Sequence, residues 1–503
     1  MKLAQTKVHA QQAPPGIAQP SDLVRMILAA AAVLLVASFL AWPINRDEGQ
    51  YVAATEMMRH GLPFRDFPYL QTPLQPLLLT PLAWLPAGWL LVASRLFNTL
   101  CGWASLLIVA RATGKVSIPK IVALTVVAMA SAQAFQFASA VARNDALPML
   151  LLSSGTMVLL DAIDRHGRRP SGYLIAGLLF GLATSAKISF AIPAAGAGLA
   201  LLIVERGRNW RAVASLLIGG LAGLLPTLAL AAVDPQRFMF DVFTYSLQAP
   251  QQAVSTAGNA VRLAPGARIW KLIEFAARGA ALPALLIVAA DRRREPRLII
   301  LDLMIVGGLI AAFLPVPAYV QYLVPSLPPL FIRFALALEG SRGGGRKVAV
   351  LAVCSAALFG FARETADLIH RSSGGLQLQA ALSQGRMTAR VTHGGMVVTL
   401  SPERVAGGDV ALDPGFVTGP FLFRTNYRLG AQAWQFHHSP TWLQAAQYLD
   451  AHPPVALLTG AESDPTLPFH PDGLDGHLIA WANSHGYRAV ALPGRGISLY
   501  LRQ

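Results

Sequence analysis

Three polar segments interrupt a strongly apolar chain and set carboxylates beside cations: Asn45-Arg46-Asp47-Glu48-Gly49-Gln50-Tyr51, Arg143-Asn144-Asp145, and the single Lys187. Such a set suits group transfer from a phosphate. A carboxylate takes the proton of an acceptor hydroxyl while a positive group stabilises the departing phosphate. Each segment also has a plainer reading. Asp47, followed three residues later by Gln50, approximates a capping box; Asp145 could cap the helix that runs on through Leu147 and Leu151; Lys187 could snorkel to the lipid interface. Asp47 and Glu48 are neighbours in sequence and point in different directions on a helix, so separate roles are expected of them rather than a shared proton.

What sets the three apart is the depth at which the surrounding elements place them. The chain has 503 residues, 54% hydrophobic and only 13% charged, with a mean hydropathy of +0.48. Soluble domains carry roughly 25% charge, so this deficit calls for a lipid solvent. Apolar runs long enough to cross about 30 Å of hydrocarbon recur from Leu23 to Phe361. Spans are placed at 23–43, 96–112, 118–140, 146–163, 172–186, 188–204, 212–233, 271–290, 298–314, 318–335 and 347–363, about eleven in all. The first, led by Lys2, Lys7 and Arg25, reads as an uncleaved signal anchor.

With the N-terminus cytoplasmic, every basic cluster falls on one side: Arg111, Lys115 and Lys120; Arg165, Arg168 and Arg169; Arg206, Arg208 and Arg211; Arg292, Arg293, Arg294 and Arg297; Arg342, Arg346 and Lys347. This is the bias that cytoplasmic loops show. The formal charge of +15 therefore marks topology, and no nucleic acid partner is expected, since the arginines form no continuous face with interleaved aromatics. Leu74 to Leu91 carries Pro76, Pro81 and Pro86 and is read as a re-entrant or interfacial element covered by protein.

The expected architecture is an all-α polytopic membrane bundle of about eleven transmembrane helices with a small α/β periplasmic C-terminal domain. Its parts are a cytoplasmic tail (1–22), a transmembrane domain (23–363) with outer loops 44–95 and 234–270, and the domain at 364–503. In the last, 455–458, 488–492 and 497–501 read as strands, and 442–449 and 474–483 as helices. Asp47, Asp145 and Lys187 then all lie at outer helix ends. An extended chain from Pro43 to Asp47 reaches at most about 14 Å, which keeps both carboxylates near the lipid headgroups. Tyr51, Ala54, Met58 and Leu62 share one helical face, so a short amphipathic helix along the membrane is expected there. Cys101 and Cys354 make no framework, and His393, His437, His438, His470, His477 and His485 show no metal-ligand spacing and read as surface or packing residues.

In this order and sidedness the segments Asp47-Glu48-Gly49-Gln50-Tyr51, Thr72-Pro73-Leu74, Arg143-Asn144-Asp145, Gly181-Leu182-Ala183-Thr184-Ser185-Ala186-Lys187 and Tyr319 to Pro329 resemble the polyprenyl-phosphate-sugar-dependent glycosyltransferases of the C fold, the superfamily of protein O-mannosyltransferases and lipid A aminoarabinose transferases. The likeness covers roughly Leu23 to Arg333. It implies Asp47 as catalytic base, with Glu48 and Asp145 as further catalytic carboxylates, Lys187 and Arg143 at the donor phosphate, and Tyr51, Gln71, Tyr319, Gln321 and Tyr322 lining the substrate. Relatives often carry Lys-Pro-Pro where this chain has Gln71-Thr72-Pro73.

The expected activity is that of an inverting glycosyltransferase moving a sugar from a polyprenyl-phosphate carrier to a glycan, lipid or protein acceptor on the periplasmic face of a bacterial inner membrane. A lipid-soluble donor accounts for the missing nucleotide fingerprint. No cofactor is firmly implied, and a divalent metal is left open. The alternative is a transporter or lipid flippase, which would hold its ionisable residues near mid-membrane, often within repeats. A third is an envelope-assembly scaffold with a relic site.

Overall fold

Helices follow the apolar runs. The computed structural model describes residues 22–503 apart from 114–115, 117, 165–169, 206–208, 257–258, 373–374, 426, 464–472 and 495. The N-terminal tail, Lys115, Arg165, Arg168, Arg169, Arg206, Arg208 and His470 lie outside the described residues. In the membrane portion the helices are α1 Asp22–Ala41, α2 Glu48–Met57, α3 Leu74–Leu79, α4 Trp89–Ala112, α5 Pro119–Ser131, α6 Gln133–Ala140, α7 Ala146–Asp164, α8 Pro170–Ala186, α9 Ala191–Val204, α10 Trp210–Val233, α11 Pro235–Met239, α12 Tyr245–Thr256, α13 Pro265–Ala277, α14 Ala281–Ala290, α15 Pro296–Phe313, α16 Leu327–Gly340 and α17 Gly343–Ser372.

Each expected span falls on a helix or a helix pair. Among the described residues, six helices are long and apolar enough to cross a membrane, or eight if each bent pair is one span; α8 and the stretches Ala31–Ala41 and Ile188–Val204 are shorter apolar helices. The chain is a multi-pass membrane protein.

Two of the expected spans, 118–140 and 271–290, are bent helix pairs, α5 against α6 by 67° and α13 against α14 by 101°. A broken helix in lipid needs partners for its freed backbone groups, because the solvent supplies none. Here the two breaks meet and serve each other. Gln133 N donates to Arg278 O (3.0 Å) and Ala280 N to Ser131 Oγ (3.2 Å). Gly279, at φ +119°, lies so close to Ser131 and Ala132 that a β-carbon would strike their backbone. Elsewhere, Gly177 and Gly181 of α8 face Gly219 and Gly223 of α10, and a β-carbon at any of the four would run into the backbone of the opposite helix. Small residues thus let these two helices touch along their lengths.

The region after α1 departs further from expectation. All ten residues of α2 are buried, so it is not an amphipathic helix lying on the membrane. Its Tyr51, Val52, Ala53 and Ala54 share one apolar core with Val397, Leu412, Ala456, Leu458 and Leu499 of the C-terminal domain. The Pro-rich stretch forms α3, a 3-10 turn over Thr80–Trp84 and the start of α4; the C-terminal portion packs on its end near Leu85 and Ala87, while Leu78 and Trp84 stay exposed. Gly408 N donates to Leu85 O (2.8 Å), and Asp409 accepts from Ala87 N (2.6 Å). The expected loop 234–270 is largely helical, beginning where the Asp234 side chain accepts from Arg237 N at 3.0 Å. The last membrane helix, α17, continues without a break past Arg363.

The C-terminal portion holds α18 Gln377–Thr392, β1 Met396–Thr399, β2 Ala411–Leu412, α19 Pro420–Phe423, α20 Tyr427–His437, α21 Ala445–Ala451, β3 Ala456–Thr459, α22 Asp475–Ser484, β4 Arg488–Ala491 and β5 Ser498–Leu501. The strands form one sheet in the order β2-β1-β3-β5-β4, with β1 parallel to β2 and β3, and β5 antiparallel to β3 and β4. The three expected strands and two expected helices are present within a few residues. β1, α18 and α20 were not among them.

The seam between α2 and this domain carries a titratable group. The turn Pro402–Arg404 sits against Gly49, where a β-carbon would stand 2.7 Å from Glu403 Oε2. Burial pushes the Glu403 carboxyl up to about 8, against the pull of Arg404. An acid whose folded value lies above its unfolded value stabilises the fold when protonated, so its contribution fades as pH rises through that window and is gone above about 8. The melting temperature of the detergent-purified protein is expected to fall between pH about 5 and about 9. Glu403→Gln should flatten that slope and melt higher than the parent at the alkaline end; an unchanged slope would show that the seam does not hold the carboxyl neutral.

Candidate active site

The four residues that leave α1, Asn45 to Glu48, tie the segment to three separate places. Asn45 and Glu48 form the capping box that starts α2: Asn45 N donates to Glu48 Oε2 (2.7 Å), Glu48 N to Asn45 O (2.9 Å), and Asn45 Oδ1 accepts from Asp47 N (3.0 Å). Asp47 occupies the N-cap position but its side chain accepts no capping hydrogen bond. The capping expected of Asp47 with Gln50 is performed two residues earlier, which leaves the Asp47 carboxylate for other work.

That carboxylate pairs with Arg143, whose Nε donates to Asp145 Oδ2 at 3.1 Å; Asp145 Oδ1 in turn holds Lys187 Nζ. A chain of alternating charge therefore runs Asp47–Arg143–Asp145–Lys187, drawn from three separate turns. Exposure changes along it. The Asp47 side chain is 29% exposed, Arg143 5%, Lys187 8% and Asp145 0%. Asp145 stands in the turn before α7, where burial by itself would raise its carboxyl; Lys187 and Arg143 overcome this and hold it below the ordinary value.

Glu48 has a different setting. Its side chain and that of Arg95 on α4 are both 0% exposed. Arg95 spends all five N–H groups: Nε and Nη2 on Glu48 (2.8 and 2.7 Å), Nη1 on Phe39 O and Trp42 O (3.2 and 2.9 Å), and Nη2 also on Pro43 O (3.1 Å). It thus takes up carbonyls at the end of α1, which helical geometry leaves without partners. Glu48 accepts from Ala142 N as well (2.6 Å), so four donors fill its two oxygens. A carboxylate so saturated is not placed to take a substrate proton.

Amide side chains fix the Val141–Asp145 turn. Asn98 Nδ2 donates to Val141 O and Arg143 O (both 2.6 Å), and Gln75 Nε2 to Arg143 O (3.1 Å). The end of α8, where Lys187 follows, is held in the same way. Asn144 Nδ2 donates to Ala186 O (2.9 Å) and Thr72 Oγ1 to Thr184 O (3.2 Å). Of the expected lining residues, Tyr51 lies under the Arg143 guanidinium at 6.0 Å and Gln71 accepts from Asn144 at 3.4 Å. Tyr322 is within electrostatic reach of Arg143 and Asp145 and packs edge-on to Tyr319 at 5.9 Å. Tyr319 is half-exposed beneath Arg262, and Gln321 is buried without a described hydrogen bond to the charged chain. Sequence reasoning passed over Arg95, Asn98, Gln75 and the pair Arg46–Glu462. A polar residue recurring every third or fourth position on one face of an otherwise apolar α4 was the available signal for Arg95 and Asn98.

Among the described residues no group of three or more His, Cys, Asp or Glu could hold a metal ion. The carboxylates of the site are each paired with a cation.

Residues 69–317 match the model of glycosyltransferase family 87. The chain is a glycosyltransferase of the C fold. Asp145 and Lys187 lie inside the matched segment and Asp47 before it. The transferase is similar in structure to ArnT from Cupriavidus metallidurans bound to undecaprenyl phosphate, with a TM-score of 0.59 at 12% identity over 96% of this chain and 98% of that one. It is similar also to the Archaeoglobus fulgidus oligosaccharyltransferase AglB in complex with an inhibitory peptide and a dolichol-phosphate, with a TM-score of 0.51 at 12% identity over 96% and 74% of the two chains. No curated protein matches the transferase by sequence.

The Glu48–Arg95 pair yields a stability prediction. Removing one partner of a buried ion pair leaves the other charge uncompensated and costs about 3–5 kcal/mol. Glu48→Gln and Arg95→Gln are each expected to lower the amount of folded protein recovered from membranes and its melting temperature. A variant that melts with the parent would contradict this account of the pair.

Proposed function

We propose that the chain is an inverting glycosyltransferase that moves a sugar from a polyprenyl-phosphate carrier to an acceptor hydroxyl at the periplasmic face of a bacterial inner membrane. The observation that carries this reading is the chain of charge Asp47–Arg143–Asp145–Lys187 at helix ends, open to solvent only at Asp47. An acceptor hydroxyl must reach its base, and Asp47 is the member with free surface. Asp145 is enclosed and stays ionised between two cations, so it serves to hold them. Arg143 and Lys187 supply the positive charge that a departing phosphate requires.

In the proposed step the Asp47 carboxylate takes the proton from the acceptor hydroxyl as its oxygen attacks the anomeric carbon. The bond from that carbon to the carrier phosphate breaks, its electron pair stays on the phosphate oxygen, and Arg143 and Lys187 stabilise the charge. A single displacement with base and phosphate on opposite faces inverts the anomeric centre. Tyr51, Gln71, Tyr319, Gln321 and Tyr322 would line the sugar and acceptor. Glu48 acts as a positioning residue through Arg95. The relatives with solved structures, bound to undecaprenyl phosphate in one case and dolichol-phosphate in the other, support the choice of donor. Eleven spans with a cytoplasmic N-terminus put the C-terminal domain outside and the basic loops inside. A transporter is less well supported, because the charges of the site lie at helix ends rather than at mid-membrane.

The test is complementation of a strain that lacks the protein, with mass spectrometry of envelope glycans and lipids as the readout. Asp47→Asn keeps the shape of the side chain but cannot accept the proton, and should lower product by a factor of about 100 or more at a normal protein level. Lys187→Gln should lower it about thirtyfold, as befits loss of a charge-assisted contact worth on the order of 2 kcal/mol, with Lys187→Arg intermediate. Product near the parent level from Asp47→Asn would remove Asp47 from the base role. A fusion of alkaline phosphatase after Gln503 is expected to be active; an inactive fusion, with a cytoplasmic reporter active in its place, would reverse the topology.

A further inference from the structure

Of the four residues leaving α1, Arg46 alone turns toward the C-terminal domain, where its Nε donates to Glu462 Oε1 at 2.7 Å. The setting is not that of an ordinary surface pair. The Glu462 side chain is 4% exposed against 36% for Arg46, so the domain buries a carboxylate in order to present it. Its backbone is fixed as well. Asp475, itself buried at the head of α22, accepts from Glu462 N (2.7 Å) and Gly460 N (2.8 Å) through one oxygen. Residues 460–462 are thereby locked to α22, and Oε2 of Glu462 has no partner among the described residues.

This pair completes the anchoring of the 45–48 segment. Asn45 and Asp47 face Arg143 of the α6–α7 turn, Glu48 faces Arg95 of α4, and Arg46 faces the C-terminal domain. Each of the cations Arg46, Arg95, Arg143 and Lys187 thus has a carboxylate against it, from Glu462, Glu48, Asp47 and Asp145 in turn. Without Glu462, Arg46 would lose the carboxylate it is paired with, and Asp47 is the adjacent, partly exposed carboxylate for it to draw aside.

We propose that Glu462 is a positioning residue for the transfer reaction, acting through Arg46 to set where the Asp47 carboxylate stands. This rests on the reading of Asp47 as the base. A carboxylate that must meet an acceptor hydroxyl is sensitive to small displacements, a shift of about 1 Å costing about a hundredfold in rate. Glu462 touches no reacting atom; its effect passes along Arg46 and one peptide unit to Asp47. The C-terminal domain thus belongs to the catalytic apparatus although its side chains do no chemistry.

The experiment compares Glu462→Gln, Glu462→Asp and the exchanged pair Arg46→Glu with Glu462→Arg in the complemented strain. Three readouts are taken: envelope product, melting temperature of the purified protein, and retention of added undecaprenyl phosphate by native mass spectrometry. Glu462→Gln should keep its melting temperature and its undecaprenyl phosphate while product falls about tenfold or more. Glu462→Asp and the exchanged pair should each recover part of the loss. The inference fails if Glu462→Gln makes product at the parent level, or if product falls only in step with folded protein or with retained undecaprenyl phosphate. Asp47→Asn run alongside keeps the two ideas apart: inactive Asp47→Asn with fully active Glu462→Gln removes this inference alone, whereas active Asp47→Asn removes the base assignment itself.

Discussion

The buried pair of Glu48 and Arg95 is the interaction on which the arrangement of the site depends. Arg95 binds the last carbonyls of α1 and the first carboxylate of α2 at once, so the exit of the first span and the start of the outer segment are held at one point on α4. Glu48 extends the joint to Ala142 at the α6–α7 turn. Desolvating two charges is costly, and such a pair stands only where its hydrogen bonds are complete. Here the five donors of the arginine and both oxygens of the carboxylate are used. Asp47, one residue away, inherits that fixed position.

From this joint the charges spread in alternating sign, which is how a low-dielectric site can hold several of them. Asp145 could not stay ionised beside apolar helices without Lys187 and Arg143, and two enclosed cations would repel each other without Asp145 between them. A similar solution appears at the far end of the bundle. Arg333 on α16, with a fully buried side chain, is held by Asp291 (2.7 Å) and Asp302 (2.9 Å). The difference lies in access. At the near end the alternation finishes at a partly exposed carboxylate, and this makes that end suited to chemistry.

How much of this could be read in the sequence follows from the range of the interactions. Apolar runs report their own length, so the eleven expected spans fall on helices; strands 455–458, 488–492 and 497–501 likewise show their local pattern. Arg95 drew no notice because nothing local marks its compensating partner, which lies 47 residues earlier. The segment after Glu48 looked like a surface helix because one face is apolar, yet its other face is covered by residues some 350 positions further on, which no periodicity reveals. Asp47 looked like a cap because the Asp47–Gln50 spacing fits, while Asn45 and Glu48 fit the same rule equally well and prevailed. The bends in α5–α6 and α13–α14 were hidden for the same reason: each depends on the other.

Those bends also explain how a lipid-embedded bundle can present a precise turn at its end. A straight continuation of α5 would carry residues 133–140 along the helix axis. The 67° break instead swings α6 across α4, where Thr99 donates to Ser139 O (2.8 Å) and Asn98 takes the carbonyls of Val141 and Arg143. The break is tolerable in lipid because Gln133 N and Ser131 Oγ find Arg278 O and Ala280 N on the second bent pair. Arg143 therefore stands where it does through a sequence of dependencies. The α13–α14 bend permits the α5–α6 bend, this lays α6 on α4, and the polar face of α4, through Asn98 and Arg95, fixes both the turn that carries Arg143 and the segment that carries Asp47. The two halves of the ion pair are set by one helix, and their alignment does not rely on the loops between them.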